Sequence, residues 1–294
     1  MQTIENDYIE DLFMTTNHHH ILFFTNQGRV FRIKGYEIPE ASRTSRGTAL
    51  VNLLSLQENE KVTATLCLRD TNEEKYLILT TKKGIIKKTE LVQFANVRKN
   101  GMIAITLNEG DQLIEAKVLS EKEDIFLVTR KGMAIQFNEE DIRATGRSSM
   151  GVRGIRLNQG DEVIGMQKSS QGELFLLVSE KGYGKLTDKS SFKAQARGGK
   201  GIRCYKITDK TGDLVGFKLC DKDREILLIT TEGIMIRFNL DKVSILGRNT
   251  SGVKLMDIDK DSDTVIASVA KVREESAEEE EEAEKQDEET SEEK

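Results

Sequence analysis

Five short loops in the chain combine basic residues with glycine and small polar residues. An arginine stands four residues before a glycine in four of them, and three residues before it in the second. The loops span 43–47, 98–101, 147–151, 197–201 and 248–252. Glycine lets a backbone approach closely, and guanidinium, hydroxyl and free N–H groups are the donors that proteins present to phosphate oxygens. The loops therefore favour contact with a polyanion backbone.

The candidate binding residues are the polar and basic side chains in these loops and directly after them. They are Arg43, Arg46, Arg98, Lys99, Arg147, Arg153, Gln195, Arg197, Lys200, Arg203, Arg248 and Lys254. We expect the side chains of Arg197 and Lys200 to face solvent. The five loops hold no His, Asp or Glu that could act as a base or ligand, so we predict no catalytic residue and no metal site. One such loop is typical of a solvated turn, whereas five in phase favour a nucleic-acid backbone surface.

Two other stretches contain residue types that could bind a metal or a phosphate, but a structural role explains both. His18, His19 and His20 are consecutive, so only two of them share a strand face, which is too few ligands for a metal. The stretch 198–201 reads Gly-Gly-Lys-Gly, but it lacks the spacing of a phosphate-binding P-loop, and no helix is predicted after it. Both stretches are interpreted as structural.

Two glycine markers recur along the chain and define a repeat. The first, always three residues after Ser or Thr, lies at Gly28, Gly84, Gly132, Gly182 and Gly233. The second follows the first by 17 or 19 residues, at Gly47, Gly101, Gly151, Gly201 and Gly252. Apolar runs precede the first marker and alternating segments follow it, which predicts a β-hairpin with glycine at positive φ. A further strand signal follows the second marker, and an apolar segment closes most units.

The repeat predicts an all-β fold of propeller-like blades, each with four strands in about 50 residues. We expect five full repeats, at about 17–70, 71–120, 121–170, 171–221 and 222–272. Residues 1–16 match the end of a repeat and are expected to be the end of an incomplete first blade. The chain is then a piece of a longer polypeptide. The alternative is a native start in which the last blade donates strands to the first.

The net charge of −6 hides a division between a basic body and an acidic tail. Residues 274–294 carry 13 acidic and two basic residues, while residues 1–273 carry 42 basic and 37 acidic residues. The stretch 273–294 cannot bury enough apolar surface to offset its ordering entropy, so we predict that it is disordered. It could serve solubility, or it could mimic nucleic acid and compete for the basic body.

Composition also limits the location of the protein. The apolar runs are four or five residues long, far short of a membrane span, and residues 1–7 resemble no secretory signal. Three cysteines without CxxC spacing predict neither a disulfide framework nor a zinc site. We therefore expect a cytoplasmic protein without membrane contact.

The repeat, and above all Gln195-Ala-Arg-Gly-Gly-Lys-Gly201, resembles the C-terminal domain family of DNA gyrase A. That family carries a heptad of the form QRRGGKG in its first blade. Residues 35–40, 151–157 and 245–252 are also similar to it. The resemblance covers essentially all of residues 1–272, and an acidic tail after the last blade suits the family.

The resemblance implies a β-pinwheel, a propeller-like fold whose blades exchange strands and usually number six. It implies a non-catalytic domain of a bacterial type II topoisomerase, which wraps duplex DNA around a basic rim so that the full enzyme can introduce negative supercoils. Its partners would be the rest of gyrase A, together with gyrase B, in a heterotetramer. No cofactor is expected here, because ATP and Mg²⁺ would bind elsewhere in the full enzyme. The location would be the cytoplasm, in association with the nucleoid.

The chain departs from the family pattern in two ways. Ala196 stands where the family has arginine, and the box-like loop lies in the fourth hairpin unit instead of the first blade. The first-blade box and the domain with the cleavage tyrosine are expected upstream of residue 1. This chain alone should bind DNA less well than the complete domain, and it should neither cut nor supercoil DNA.

Three alternatives stay open at this point. The C-terminal domain of topoisomerase IV is a close relative with more degenerate boxes. A propeller-like protein-interaction scaffold would need aromatic or apolar residues at the loop tips. A propeller enzyme would need carboxylates or histidines converging on one rim, and none recur in phase.

Deleting residues 274–294 should raise affinity for duplex DNA, most strongly at low salt. A flexible chain of about 20 residues reaches roughly 25 Å, so the tail can compete with DNA for the rim, and salt screens that competition. Thermal stability should barely change. The measurement is a binding titration at several salt concentrations with and without the tail. Equal affinities at low salt would leave only the solubility role.

Overall fold

The computed structural model describes residues 15–41, 47–69, 75–119, 122–258 and 264–271. In this part of the chain it contains β-strands joined by loops and short 3₁₀ helices, which confirms the predicted all-β class. The 3₁₀ helices are Gly35–Glu37, Leu50–Asn52, Leu91–Phe94, Glu139–Asp141, Ser169–Gln171, Lys189–Ser191 and Leu240–Lys242. The predicted incomplete first blade, apart from residues 15 and 16, and the predicted acidic tail lie outside the described residues.

The strands form five antiparallel sheets. In chain order they are β1 (His20–Thr25), β2 (Arg29–Lys34), β3 (Val62–Leu68), β4 (Tyr76–Thr81), β5 (Ile85–Glu90), β6 (Met102–Ile103), β7 (Leu113–Leu119), β8 (Asp124–Thr129), β9 (Met133–Asn138), β10 (Val152–Arg153), β11 (Val163–Lys168), β12 (Leu174–Ser179), β13 (Tyr183–Asp188), β14 (Ile202–Arg203), β15 (Leu214–Cys220), β16 (Glu225–Thr230), β17 (Met235–Asn239), β18 (Val253–Lys254) and β19 (Ile266–Lys271). The sheet orders are β3-β1-β2-β6, β7-β4-β5-β10, β11-β8-β9-β14, β15-β12-β13-β18 and β19-β16-β17.

Neighbouring repeats exchange a strand. The two-residue strands β6, β10, β14 and β18 each follow the second glycine of one repeat and pair with the hairpin of the repeat before it. In β14, for example, Ile202 pairs with Ala134 of β9. Consecutive sheets contact each other through β3, β7, β11, β15 and β19, so the exchanged strands form the opposite, outer edges. The strand exchange that the resemblance implied is therefore present.

The first glycine marker closes the hairpin of every repeat. The glycine N–H donates to the carbonyl of the Ser or Thr three residues earlier, at 2.9 to 3.1 Å, and every one of these glycines has φ between +75° and +81°. The hydroxyl of that Ser or Thr can accept a second bond, as Thr129 Oγ1 does from the N–H of Met133 at 3.1 Å. The recurring Ser/Thr-x-x-Gly spacing is thus a hydrogen-bonded turn.

The two glycine markers meet across the boundary between repeats. The N–H of Cys204, three residues after Gly201, donates to the carbonyl of Gly132 at 2.8 Å. A Cβ atom on Gly132 would lie 2.5 Å from the carbonyl oxygen of Tyr205, and one on Gly201 would lie 2.4 Å from that of Ala134. Only glycine allows these backbones to approach so closely at positive φ.

The first strand of each described hairpin is almost wholly buried. In β4, Leu77 and Leu79 pack with Leu22 of the preceding sheet, whereas Ile78 packs with Leu127 of the following sheet. Because both faces of such a strand lie against a neighbouring blade, its sequence is a continuous apolar run instead of an alternating one. This accounts for the apolar segments that precede the first glycine of every repeat.

One predicted strand is absent from the described residues. The segment after Gly47 forms the 3₁₀ helix Leu50–Asn52, and Leu50 and Val51 are exposed. The corresponding segments of later repeats become strands because the hairpin before them offers an edge, and the described residues hold no hairpin before β1. Those strands are also shorter than predicted, since the N–H of Gly154 already turns to the carbonyl of Gly84. In the fifth sheet, β17 borders no further strand in the described part of the chain.

Replacing Gly201 with alanine should lower the free energy of unfolding by about 1–3 kcal/mol through backbone strain alone, because its φ is +73°. The contact with the carbonyl of Ala134 adds to that cost. Gly146→Ala is the matched control, because a Cβ there meets no atom within 4 Å. Urea unfolding of both variants measures the difference. Equal stabilities would contradict the role assigned to the second glycine.

Candidate nucleic-acid interface

The predicted binding residues fall into two groups in the structure. The exposed group consists of Arg98, Lys99, Arg153, Lys200, Arg203 and Lys254. The half-buried group consists of Arg147, Gln195, Arg197 and Arg248. Arg43 and Arg46 lie outside the described residues. Of the two side chains expected to face solvent, Lys200 is exposed, whereas Arg197 is half-buried and departs from the expectation.

Three exposed basic residues occupy equivalent places on consecutive sheets. Arg153 ends β10, Arg203 ends β14 and Lys254 ends β18. The corresponding residue of β6 is Ile103. Because these strands form the outer edges of their sheets, the three cations lie in a row along the outside of the molecule. We call these edges and the loops that lead into them the outer rim.

The half-buried arginines connect the loop of one repeat to the outer strand of the repeat before it. Nη1 of Arg147 donates to the carbonyl of Ile103 at 2.6 Å, and Nη1 of Arg197 donates to the carbonyl of Arg153 at 2.5 Å. Nη1 of Arg248 makes the same contact with the carbonyl of Arg203 at 3.3 Å. In these three repeats the arginine four residues before the glycine is therefore a link between blades. A guanidinium has five N–H donors, so this bond does not use up its capacity to contact phosphate.

A groove lies between two neighbouring loops of the outer rim. It is lined by Met133, Arg203, Arg248 and Asn249, a set that contains two cations and no acidic residue. The Arg248 guanidinium lies 5.9 Å from the centre of the Phe192 ring, and this contact restricts the orientation of the guanidinium. The groove offers donors from two repeats to a single anionic group.

Some basic residues already have acidic partners. Arg130 lies within 3.4 Å of Glu162, Glu180 and Asp213, which come from neighbouring hairpins and turns. Lys254 lies 2.5 Å from Asp257, and this contact raises the pKa of the lysine. Arg130 thus stabilises the packing of neighbouring blades. Lys254 would have to release Asp257 before it could bind a phosphate.

Two buried lysines were missed by the sequence interpretation. Lys87 of β5 and Lys185 of β13 are fully buried directly beneath rim loops. The pKa of both is lowered to about 8, mainly by desolvation, and the positive charge of Arg147 near Lys87 and of Arg248 near Lys185 contributes to this lowering. One sequence feature could have identified them: each is a lysine three residues after the first glycine of its repeat, where the other repeats have an apolar residue.

The remaining groups of chemical interest among the described residues are a buried thiol and the side chains that could bind a metal. Burial raises the pKa of the Cys204 thiol to about 12, which keeps it protonated and unreactive. The described residues bring together no group of three or more His, Cys, Asp or Glu side chains that could hold a metal. In the same residues no helix has the length and apolarity needed to cross a bilayer.

Comparison with protein families gives one assignment for all five repeats. The family model described as DNA gyrase C-terminal domain, beta-propeller, matches residues 19–69, 75–120, 123–170, 173–221 and 224–269. DNA gyrase A of Clostridium acetobutylicum is 47% identical over 278 residues, which are 95% of this chain and 33% of that protein. DNA gyrase A of Halalkalibacterium halodurans is 52% identical over 272 residues, 92% of this chain and 32% of that protein. The chain thus spans about a third of the length of these relatives.

Solved structures share the fold. A DNA gyrase A C-terminal domain is 28% identical and superposes with a TM-score of 0.77, over 92% of this chain and 90% of that one. The C-terminal domain of DNA topoisomerase IV superposes with a TM-score of 0.82 at 23% identity, over 92% of this chain and 84% of that one. The second likeness concerns the fold alone. Together they confirm the predicted β-pinwheel architecture.

Arg197→Ala should lower the free energy of unfolding by about 1 kcal/mol, because it removes bonds to the carbonyls of Arg153 and Asp141. Arg203→Ala should stay within about 0.5 kcal/mol of the parent, because that side chain is exposed. Urea unfolding of the two variants makes the comparison. Equal effects would show that the two groups of basic residues do not differ in structural role.

Proposed function

The chain belongs to the DNA gyrase C-terminal domain family, and on that premise we propose that it binds duplex DNA through the phosphate backbone and wraps it along the outer rim. The observation that carries this proposal is the row of Arg153, Arg203 and Lys254 on three consecutive outer strands. Lys200 and the pair Arg98 and Lys99 add exposed cations in the adjoining loops.

The placement of these cations on three consecutive blades suits a curved backbone path. Each of the three blades presents its cation at the same place on its outer edge, so a duplex that follows the rim meets a positive charge at each of them. Bending a duplex of about 20–30 base pairs by 40–90° costs on the order of 1–6 kcal/mol. Phosphate contacts at successive blades offset that cost, and released counterions supply much of the affinity.

Binding of this kind is independent of sequence. Ammonium and guanidinium groups on the outer edges contact phosphates, whereas sequence is read by groups that enter a groove of the duplex. In the part of the rim that the structure describes, the short outer strands and tight loops provide no extended element that could enter a groove. The domain therefore functions as a wrapping surface.

In the full protein, the wrapped segment would give the strand-passage reaction its handedness. We infer that the domain supports negative supercoiling by a gyrase that also contains the rest of gyrase A and gyrase B. In this proposal the fragment is not an enzyme by itself, and ATP and Mg²⁺ act in other parts of the assembly. The place of action is the cytoplasm, at the nucleoid.

Relatives at about 50% identity are gyrase proteins, and this favours gyrase over topoisomerase IV. The scaffold alternative has one observation in its favour, because Met150, Val152 and Val253 on the rim are partly exposed. These side chains lie between cations, where they can also contact sugars of a bound duplex.

Affinity for duplex DNA should fall steeply with salt and should not depend on DNA sequence. Each phosphate neutralised contributes about −0.9 to the slope of log affinity against log salt, so contacts from several blades should give roughly −4 or steeper. Lys200→Ala should weaken binding equally for all sequences and reduce the slope by about 0.9. A flat salt response of the parent would remove the wrapping proposal and favour the scaffold.

The control for Lys200→Ala is Lys222→Ala, which removes an exposed lysine from the turn between β15 and β16. That turn follows Cys220, which pairs with Leu174, whereas the outer strand β18 pairs near the other end of the same sheet. The control variant should bind DNA nearly as the parent does. Comparable losses in both variants would point to overall charge instead of the rim.

A further inference from the structure

We propose that Lys87 and Lys185 are positioning residues, which hold two rim loops in the shape that presents Arg147 and Arg248 to DNA. The inference rests on the proposed function and names residues that do not themselves touch the ligand. Both lysines are completely buried, each in the hairpin of one repeat and beneath the loop of the next.

The contacts of the two lysines are with loop backbone. Nζ of Lys185 donates to the carbonyls of Gly247 and Arg248 at 2.8 and 2.7 Å, and to Oγ1 of Thr250 at 3.1 Å. Nζ of Lys87 donates to the carbonyl of Ala104 at 2.7 Å and to that of Arg147. Each ammonium therefore binds the carbonyl of the arginine that links the blades.

The lysines occur together with a particular loop sequence. The two loops above them read Gly146-Arg147 and Gly247-Arg248, whereas the loop at 195–201 has Ala196 before its arginine. Beneath that third loop the equivalent residue is Ile135, and a Cβ on Gly199 would be 3.6 Å from its side chain. Rim loops are thus supported in two ways, by a lysine that binds carbonyls or by an apolar residue that packs against glycine.

Burial of a cation costs free energy of folding, so each buried lysine needs an interaction that offsets this cost. The loop carbonyls converge on the ammonium because the chain turns sharply before the second glycine, and without a donor they would repel one another. The same positive charge lies under the outer rim and adds to the field that a phosphate meets. Bound DNA should in turn favour the protonated lysine.

The groups that face the lysines are few. Lys87 faces Arg147, and Lys185 faces Arg248, the Cys204 thiol and the Tyr205 ring. Burial raises the pKa of Cys204 and that of Tyr205 to about 12. Of these two groups and the two lysines, it is the lysines, with a pKa of about 8, that lose a proton between about pH 7 and 9.

The test uses Lys185→Met, which keeps the length of the side chain and removes the donor, with Lys222→Met as the control for charge. Hydrogen exchange is followed in the loops at 247–252 and 195–201, and affinity is measured with a labelled duplex of about 40 base pairs at low salt. In Lys185→Met we expect faster exchange at 247–252 only, and affinity reduced by about fivefold. The control should change neither.

Stability separates positioning from simple support of the fold. A lysine whose pKa is lower in the folded than in the unfolded state destabilises the protein at pH values below the folded-state pKa. This cost fades as the pH rises from the folded-state pKa to the unfolded-state pKa. Lys185→Met removes that cost but also removes the bonds to the carbonyls of Gly247 and Arg248, and the two effects oppose each other. The variant should therefore stay folded at pH 7, with a urea midpoint close to that of the parent, while it binds DNA more weakly. Lys185→Ile, which introduces the residue type found at 135, is a second variant for the same comparison.

The pH profile provides a further test, whose first part uses the parent protein alone. Affinity of the parent should fall between pH 7 and 9, with proton uptake on binding, and a Lys87→Met, Lys185→Met double variant should lose most of that dependence. Unchanged affinity and exchange in Lys185→Met, or loss of affinity that follows loss of stability, would overturn the inference. Absence of DNA binding by the parent would instead overturn the proposed function.

Discussion

The outer edge of each described four-stranded blade is a strand that the blade cannot supply itself. The strand comes from the next repeat, and it begins directly after a glycine at positive φ that lies against the preceding hairpin. A repeat is therefore incomplete without its neighbour, and the loop before that glycine is fixed to two blades at once. This exchange places each described rim loop at the equivalent position of its blade, so the regularity of the rim follows from the backbone and not from the basic side chains.

The cations of the rim have different physical roles because they lie at different depths. Arg153, Arg203 and Lys254 are exposed on strand ends, where contact with an anion costs little desolvation. Arg147, Arg197 and Arg248 are half-buried links between neighbouring repeats. Lys87 and Lys185 are buried below them and bind carbonyls. A binding surface of this kind depends on an ordered backbone, since a phosphate binds well only where donors are held in place.

The distribution of charge also explains why net charge alone says little about this domain. The chain is acidic overall. No acidic residue is among the described residues that line the groove between Arg203 and Arg248 on the outer rim. Elsewhere, cations such as Arg130 are neutralised by carboxylates from neighbouring hairpins. Local field at the rim, and not the sum over the chain, governs attraction of a polyanion.

The sequence by itself determined the repeat, the hairpins and the basic loops, because glycine at positive φ and an apolar strand buried on both faces each leave a local pattern. It also identified Arg153, Arg203 and Lys254 as candidates, since they follow the second glycine in phase. Only the tertiary structure decided which repeat receives each short strand, and why the segment after Gly47 is a 3₁₀ helix. The tertiary structure likewise decided which cations are buried, because the residue type alone does not show whether a lysine such as Lys185 lies in solvent or beneath a loop. Pairing across repeats and desolvation depend on neighbours some 50 residues away in sequence, and no local pattern records them.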